Sequence, residues 1–254
     1  MSETNPFDPK ELAEVARAAK DVLPQTVSQA DEALSTIVGW FNNVVLYPVK
    51  KANISYKYKL ECFEDDFRGK VLTIQEGKLC EPNLLIAGPT LEALKYTYDV
   101  QELREMYVNL LSSSMNMDYV AIVHPSFVDI IRQLTPDEAK LLNLLKADGK
   151  HAVVDIRQQL PDDGGEVDII KDFSHISYGV CECPENIGAY LGNLQRLGII
   201  TIPDNRHLSE DAHYDLIRNN PLIAPYVSEG KNVFKKKCLI VTSFGENLLK
   251  CCIE

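Results

Sequence analysis

The chain lacks an excess of basic residues that would favour nucleic acid as a partner. Its 254 residues include 26 Lys plus Arg against 37 Asp plus Glu, which gives a formal charge of −11. A protein with this charge repels a phosphate backbone on average, so binding nucleic acid would require a local basic patch. The composition, 45% hydrophobic and 25% charged, is typical of a globular protein with a real core.

The chain also lacks a long apolar run. The longest stretch without a charged residue is residues 33–49, and it contains Gly39, Asn42, Asn43 and Pro48. Its 17 residues are at the short limit for a membrane span. A spanning helix and an interfacial helix remain alternatives, but a buried core helix is the preferred interpretation, and we do not expect a membrane partner.

A disulfide framework is not indicated either. Seven cysteines are an odd number, and Cys62, Cys238, Cys251 and Cys252 lie within apolar patterns. This usage is typical of reduced, partly buried thiols rather than of a secreted protein. The acidic, polar N-terminus does not read as a signal peptide. We therefore expect a cytoplasmic protein.

No catalytic, cofactor or metal signature is recognisable. The glycines fit neither a Walker loop nor a dinucleotide-binding loop. His124 lies close to Ser126 in sequence, but no nucleophile elbow or third partner accompanies them, so a His that satisfies backbone groups at a helix start is preferred. Cys181, Cys183 and His175 could ligate a metal, although structural zinc pairs are usually spaced more widely. We predict a non-enzymatic protein without cofactor or metal.

The first part of the chain is predicted to be helical. Asp8-Pro9-Lys10-Glu11 has an N-cap Asp, Pro at the first helical position and Glu at the third, and Asp99-Val100-Gln101-Glu102 is predicted to be a capping box that begins another helix at Asp99. Apolar residues at helical spacing predict further helices from about 27 to 48, from 54 to 74 and from 90 to 96. Residues 75–90 are predicted to be a loop. The domain boundary is predicted near Leu134, which gives a helical domain over 1–134.

The second part, residues 135–254, is predicted to be a winged-helix-like α+β module packed directly against the helical domain. The expected order is a helix (136–146) begun by the capping box Thr135-Pro136-Asp137-Glu138, a helix (184–197), a strand (199–202), a strand (237–241) and a helix (243–252). Gly198 is expected to adopt the left-handed cap of the second helix. Residues 203–236 are an insertion that enlarges the wing. The whole chain is thus predicted to be mainly α.

Basic residues of this module are the candidate contacts with nucleic acid. Lys235, Lys236 and Lys237 are consecutive, Lys231 is close by, and Arg196 is the one basic residue in the predicted recognition helix. A DNA-reading helix normally carries more basic groups. A protein-interaction or architectural module is therefore favoured over a DNA reader.

Several segments together resemble one family, the bacterial abortive infection alpha family, long catalogued as a domain of unknown function. They are Pro82–Leu84, Gly88–Leu94, Glu102–Leu111, His124–Ala139 and Asn193–Ile200. The block beginning His124-Pro125-Ser126-Phe127 is the most specific of them, and the match covers roughly residues 50–250. The resemblance implies a bacterial or prophage-borne cytoplasmic protein of phage defence, with no established catalytic residues to assign.

Three functions remain open. The first is a non-enzymatic phage-defence protein that acts through a protein partner or a homo-oligomer. The second is a nucleic-acid-binding regulator that uses the Lys235–Lys237 wing. The third is a membrane-directed effector that uses residues 33–49.

Overall fold

The computed structural model describes residues 29–43, 55–75, 77–160, 164–228 and 232–253. The chain divides into two compact units between Gln133 and Leu134. The helix predicted from Asp8 lies outside the described residues, as do residues 44–49 of the longest uncharged run.

The regular elements described in the first unit are helices. Their bounds are Gln29–Phe41 (α1), Ser55–Leu72 (α2), Leu84–Thr97 (α3), Gln101–Ser113 (α4) and Ser126–Arg132 (α5). Aromatic side chains form the core between α1 and α2, where Phe41 stacks on Phe63 with ring centroids 3.8 Å apart. In α1 the apolar residues Leu34, Ile37 and Phe41 are buried, so the preferred interpretation of this stretch as a core helix agrees with its described part.

Helix α3 begins six residues before the predicted helix. The loop predicted over 75–90 is therefore wrong for 84–89, because Asn83 caps α3 by accepting the Leu85 N–H at 3.0 Å. Pro89 lies inside the helix and lacks only one intrahelical donor. Two apolar residues of α3, Ile86 and Leu91, are buried.

The helix start at Asp99 is also corrected. The N-cap of α4 is Val100, and no side chain caps it. The Asp99 carboxylate instead lies 2.6 Å from the Lys59 ammonium. The capping-box pattern identifies Asp99 as a residue that could cap α4. In the structure, the Lys59 ammonium of α2 competes for its carboxylate.

The second unit combines helices with strands. Its longer elements are Pro136–Ala147 (α6), Lys150–Gln159 (β1), Glu166–Phe173 (β2), Ile187–Arg196 (α7), Ile200–Thr201 (β3), Asp215–Arg218 (α8), Ala224–Ser228 (α9), Asn232–Val241 (β4) and Ser243–Cys252 (α10). Short 3₁₀ turns occupy His175–Ser177, Pro184–Asn186 and Asp211–Tyr214. The described chain is thus mainly helical, with one four-stranded sheet.

Two predicted helix boundaries of this unit are confirmed, the capping box that begins α6 and the left-handed glycine that follows α7. Thr135 Oγ1 accepts the Glu138 N–H at 3.2 Å, and the Glu138 carboxylate accepts the Thr135 N–H at 2.7 Å. Gly198, after α7, has a φ of +75°, which glycine adopts without strain. Gly245 in α10 allows a close approach, since a Cβ there would lie 2.1 Å from the Ile199 carbonyl oxygen.

The sheet is antiparallel with the order β2-β1-β4-β3. The predicted pairing of the two strands around the insertion is present, because Ile200 pairs with Val241 and Thr201 with Ile240. By sequence pattern, residues 151–156 suit either a short strand or the start of a helix. In the structure they belong to β1, which runs ten residues and pairs with both β2 and β4. Residues Ala152–Ile156 are buried, so period-two alternation is absent from the strand centre.

Candidate functional site

Lys237, a predicted nucleic-acid contact, lies in the interior of the second unit. Its side chain is 2% exposed, and its ammonium is 2.6 Å from Asp155 Oδ1 and also contacts the Asp172 carboxylate. Burial alone would lower the pKa of Lys237, but the hydrogen bonds to the two carboxylates outweigh burial and raise it. Lys237 is therefore the cation of a buried ion-pair network.

The backbone of β2 is distorted at this network. Asp172 has a φ of +52°, which is uncommon for a residue with a side chain, and the β1–β2 register shifts near it. Its N–H donates to Asp155 Oδ1 at 2.9 Å instead of to a strand carbonyl. This irregularity turns the Asp172 carboxylate toward Lys237.

The other predicted contacts also have partners. Lys235 lies 3.0 Å from Asp204, Lys236 pairs with Asp211, and the Arg196 guanidinium donates to Asn193 Oδ1 at 2.6 Å. Lys231 lies outside the described residues. The structure brings the three lysines onto one strand, but each meets at least one carboxylate.

This part of the surface has no positive excess. Arg157 shares a carboxylate with Lys237, Arg218 shares one with Lys236, and Lys235 pairs with Asp204. These three groups of ion pairs contain five cations and seven carboxylates. A phosphate approaching it would have to compete with carboxylates already in place. The nucleic-acid role of Lys235–Lys237 stays a prediction.

Asp137 anchors the segment that carries Cys181 and Cys183. Its carboxylate accepts the N–H groups of Glu182 at 2.9 Å and Cys183 at 3.1 Å, and the Tyr190 hydroxyl at 2.9 Å. Burial would raise the pKa of Asp137, but these hydrogen bonds outweigh burial and lower it. The sequence identified Asp137 only as part of a capping box, because partners 45 residues away leave no local signal.

The candidate metal ligands have other neighbours. The Cys181 thiol faces the Asp137 carbonyl at 3.7 Å, and burial raises its pKa to about 11. His175 Nδ1 lies 3.2 Å from the Asn220 amide nitrogen. Within the described residues, no group of three or more His, Cys, Asp or Glu side chains is arranged to hold a metal ion.

His124 and Ser126 are brought together at the start of α5. His124 Nδ1 lies 2.6 Å from Ser126 Oγ and accepts the Ser126 N–H at 3.1 Å. The ring nitrogen thus satisfies a backbone donor of the first turn, as the sequence interpretation expected.

An apolar groove of the first unit is a candidate binding site that the sequence did not indicate. Its volume is about 410 Å³, and Cys80, Ile86, Met117, Val120 and Val123 contribute to its lining. Met117 and Val120 are more than half exposed, as are Leu84 and Leu85, which precede Ile86 in sequence. Exposed apolar side chains clustered around a concavity are typical of an interaction site.

Hydrogen bonds between two loops hold the floor of this groove. The Cys80 N–H donates to the Met115 carbonyl at 2.8 Å, and the Met117 N–H donates to the Lys78 carbonyl at 2.9 Å. Lys78 also pairs with Asp118 at 2.6 Å. The groove is therefore formed by ordered loops, and burial raises the pKa of the Cys80 thiol, which disfavours the nucleophilic thiolate.

The sequence of this chain matches one family model over residues 55–252, the model described as abortive infection alpha. The chain belongs to the abortive infection alpha family. This confirms the resemblance found in the sequence, and it connects the chain with abortive infection. The matched range includes every residue that lines the apolar groove and the whole sheet of the second unit.

Other comparisons add little to the abortive infection alpha assignment. The chain is similar to an uncharacterized protein from the hydrocarbon-degrading marine bacterium Alcanivorax borkumensis SK2, with 20% identity and a TM-score of 0.36 over 53% of this chain and 94% of that one. No curated protein matches the chain. Within the described residues, every helix is too short or too polar to traverse a bilayer.

Proposed function

We propose that this abortive infection alpha protein is a non-enzymatic, cytoplasmic component of phage defence that acts by binding a protein partner. The observation that carries the proposal is the groove of the first unit, a concavity of about 410 Å³ lined by Met117 and Val120, both more than half exposed. The exposed Leu84 and Leu85 lie next in sequence to the lining residues Asn83 and Ile86. Apolar side chains seated in such pockets supply much of the energy of protein interfaces.

The groove favours a partner segment with apolar side chains and basic flanks. Met117 in its wall is unbranched and can adapt to different side chains. Glu81 also lines the groove, and the chain as a whole carries a formal charge of −11. Electrostatic complementarity therefore favours a cationic partner.

The state of two thiols argues against a cysteine nucleophile at Cys181 or Cys251. Burial raises the pKa of Cys181 to about 11 and that of Cys251 to about 12. Thiols with these pKa values stay protonated at neutral pH and are poor nucleophiles.

We further propose that the second unit is a winged-helix-like module used as scaffold rather than as a DNA reader. The order α7, β3, β4, α10 and the antiparallel pairing of β3 with β4 support this. The insertion between these strands would be the enlarged wing. The ion pairs of Lys235 and Lys236 with Asp204 and Asp211 favour scaffold over regulator.

The double variant Leu85→Asp/Met117→Asp tests the role of the groove. Both side chains are exposed, so the variant should fold with an unchanged thermal midpoint. We expect it to lose protection in a phage plaque assay and to recover at least tenfold less partner on affinity purification from infected cells. Tyr96→Asp is the matched control, since Tyr96 is also an exposed apolar residue but lies near the other end of α3 and does not line the groove.

A folded double variant that protects as well as wild type would overturn the role of the groove. Sedimentation velocity of the purified protein identifies a second copy as the partner if the wild type, but not the double variant, forms dimers. Retention on immobilised DNA at low salt, lost in Lys235→Ala/Lys236→Ala, would favour the regulator instead.

A further inference from the structure

A second concavity, in the second unit, is lined by cationic and imidazole groups. Its volume is about 200 Å³, and its polar lining includes Lys150, His151, His175 and His213. The only carboxylate in this lining, among the described residues, belongs to Asp148. In a chain with a formal charge of −11, this is an unusual local balance. We call it the imidazole cleft.

Two cations at the imidazole cleft lack carboxylate partners. Within the described residues, neither the Lys150 ammonium nor the Arg206 guanidinium lies within 4 Å of a carboxylate, in contrast to Lys235–Lys237. Cys238 pairs across the strands with Ala152, a lining residue. Lys150 itself lines the cleft, and Arg206 lies two residues before the lining residue Leu208. In agreement with this, both cations oppose the rise that burial causes in the pKa of the Cys238 thiol.

Hydrogen bonds fix the hydrogen positions on two imidazoles. His151 Nε2 lies 2.6 Å from the Asp148 carbonyl oxygen, which can only accept, so Nε2 carries the hydrogen. His175 Nδ1 faces the Asn220 amide nitrogen, a donor, at 3.2 Å, so the hydrogen of the neutral ring lies on Nε2. The His175 ring is held further by stacking on Tyr178, with centroids 5.0 Å apart.

Apolar residues form the rest of the imidazole cleft. Ile176, Leu208, Leu216 and Ile217 contribute to the lining. Leu208 is fixed by its backbone, since its N–H donates to the Tyr214 hydroxyl at 2.9 Å, and that hydroxyl donates to the Lys237 carbonyl at 2.8 Å. The cleft thus combines an anion-attracting edge with an apolar wall.

We propose that the imidazole cleft binds a small phosphomonoester, with the phosphate at Lys150 and Arg206 and a compact apolar group against Leu208 and Leu216. Cations without carboxylate partners, together with the His175 Nε2–H as a donor, suit a dianionic phosphate. A volume of about 200 Å³ is below that of pockets for drug-sized ligands, which limits the ligand to a small one. The site is separate from the apolar groove and does not depend on the protein-binding function proposed above.

Calorimetric titration of the full chain with phenyl phosphate tests this site. We expect binding, weaker binding of inorganic phosphate, and none of benzyl alcohol, because the anion and the apolar group act together. Lys150→Gln and Arg206→Gln should each weaken phenyl phosphate about tenfold, as expected for loss of one charged hydrogen bond. The matched control Lys235→Gln, whose ammonium is paired with Asp204, should bind like wild type.

Nuclear magnetic resonance of the histidine side chains locates the ligand. Phenyl phosphate should shift the His151, His175 and His213 ring signals and leave His124 unchanged. Absence of binding, equal loss in Lys235→Gln, or unshifted His151 and His175 signals would each overturn the proposal.

Short single-stranded oligonucleotides with and without a 5′-phosphate separate the two sources of phosphate. Binding that requires the 5′-phosphate and is weakened by Lys150→Gln supports a monoester site. Tighter binding of both oligonucleotides than of phenyl phosphate would overturn it in favour of contacts with a nucleic-acid backbone, whose affinity should fall steeply with salt.

Discussion

Two sets of cations in the second unit differ in what surrounds them. Lys235, Lys236 and Lys237 are consecutive in sequence, and each meets a carboxylate. Lys150 and Arg206 are 56 positions apart in the printed sequence, yet both act on Cys238, and neither has a carboxylate partner within the described residues. A run of lysines in a sequence therefore does not measure available charge. Availability depends on which acidic residues the fold places opposite them.

The largest expected effect concerns the buried end of the paired set. Lys237→Met removes the ammonium and leaves Asp155, 1% exposed, facing Asp172. Loss of one partner from a buried ion pair costs about 3–5 kcal/mol, so the free energy of unfolding measured with urea should fall by that amount. A loss below about 1 kcal/mol would show that water reaches these carboxylates.

A compensating variant distinguishes a charge effect from a packing effect. Lys237→Met/Asp155→Leu/Asp172→Gly removes the ammonium and both carboxylates that contact it, and glycine relieves the φ of +52° at position 172. Replacing an entire buried ion-pair network by apolar groups is often neutral. We expect the triple variant to regain most of the stability, and a triple variant less stable than Lys237→Met would contradict this explanation.

Features predictable from the sequence were those that depend on neighbours along the chain. The Thr135–Glu138 box and the left-handed Gly198 involve residues within a few positions, and local chemistry determines them. Asp99 was misassigned because Lys59, 40 positions earlier, takes its carboxylate. The full length of β1 was missed because consecutive residues at its centre are buried on both faces of the sheet, which removes the alternation that indicates a strand.

Both candidate sites escaped the sequence for the same reason. The groove of the first unit depends on a helix start at Leu84 within a segment whose glycines and prolines predicted a loop. The imidazole cleft assembles His151, His175 and His213 from three separate segments that share no spacing. A useful local signal was present only at Leu84-Leu85, where two large apolar residues directly follow a good N-cap residue.

A loss of stability of intermediate size is expected at Asp137. Its carboxylate is bound by backbone N–H groups and a hydroxyl, and not by a lysine alone. Asp137→Asn keeps one acceptor oxygen but loses the charge that accepts from Glu182, Cys183 and Tyr190. We expect a loss of about 2 kcal/mol at pH 7, typical of hydrogen bonds to a charged group. Urea unfolding of the variant and the wild type over a range of pH provides the measurement.

The pH dependence of that difference has a defined sign. The pKa of Asp137 is lowered in the folded state, so its contribution is fully present above the ordinary aspartate pKa of about 4. The contribution is lost as the pH falls through the lowered pKa. The stability curves of wild type and Asp137→Asn should therefore converge in acid, and a constant difference down to pH 2 would exclude the charge as the cause.

The smallest effects on stability are expected at the surface cations Lys235 and Lys150. Lys235→Gln removes a pair with an exposed Asp204, and such surface pairs contribute little. Lys150→Gln removes a cation without a carboxylate partner among the described residues. Both variants should have urea midpoints within error of wild type, but only Lys150→Gln should lose the extra thermal stability that saturating phenyl phosphate gives to the wild type. A lower urea midpoint for Lys150→Gln alone would mean that Lys150 stabilises the fold and is not reserved for a ligand.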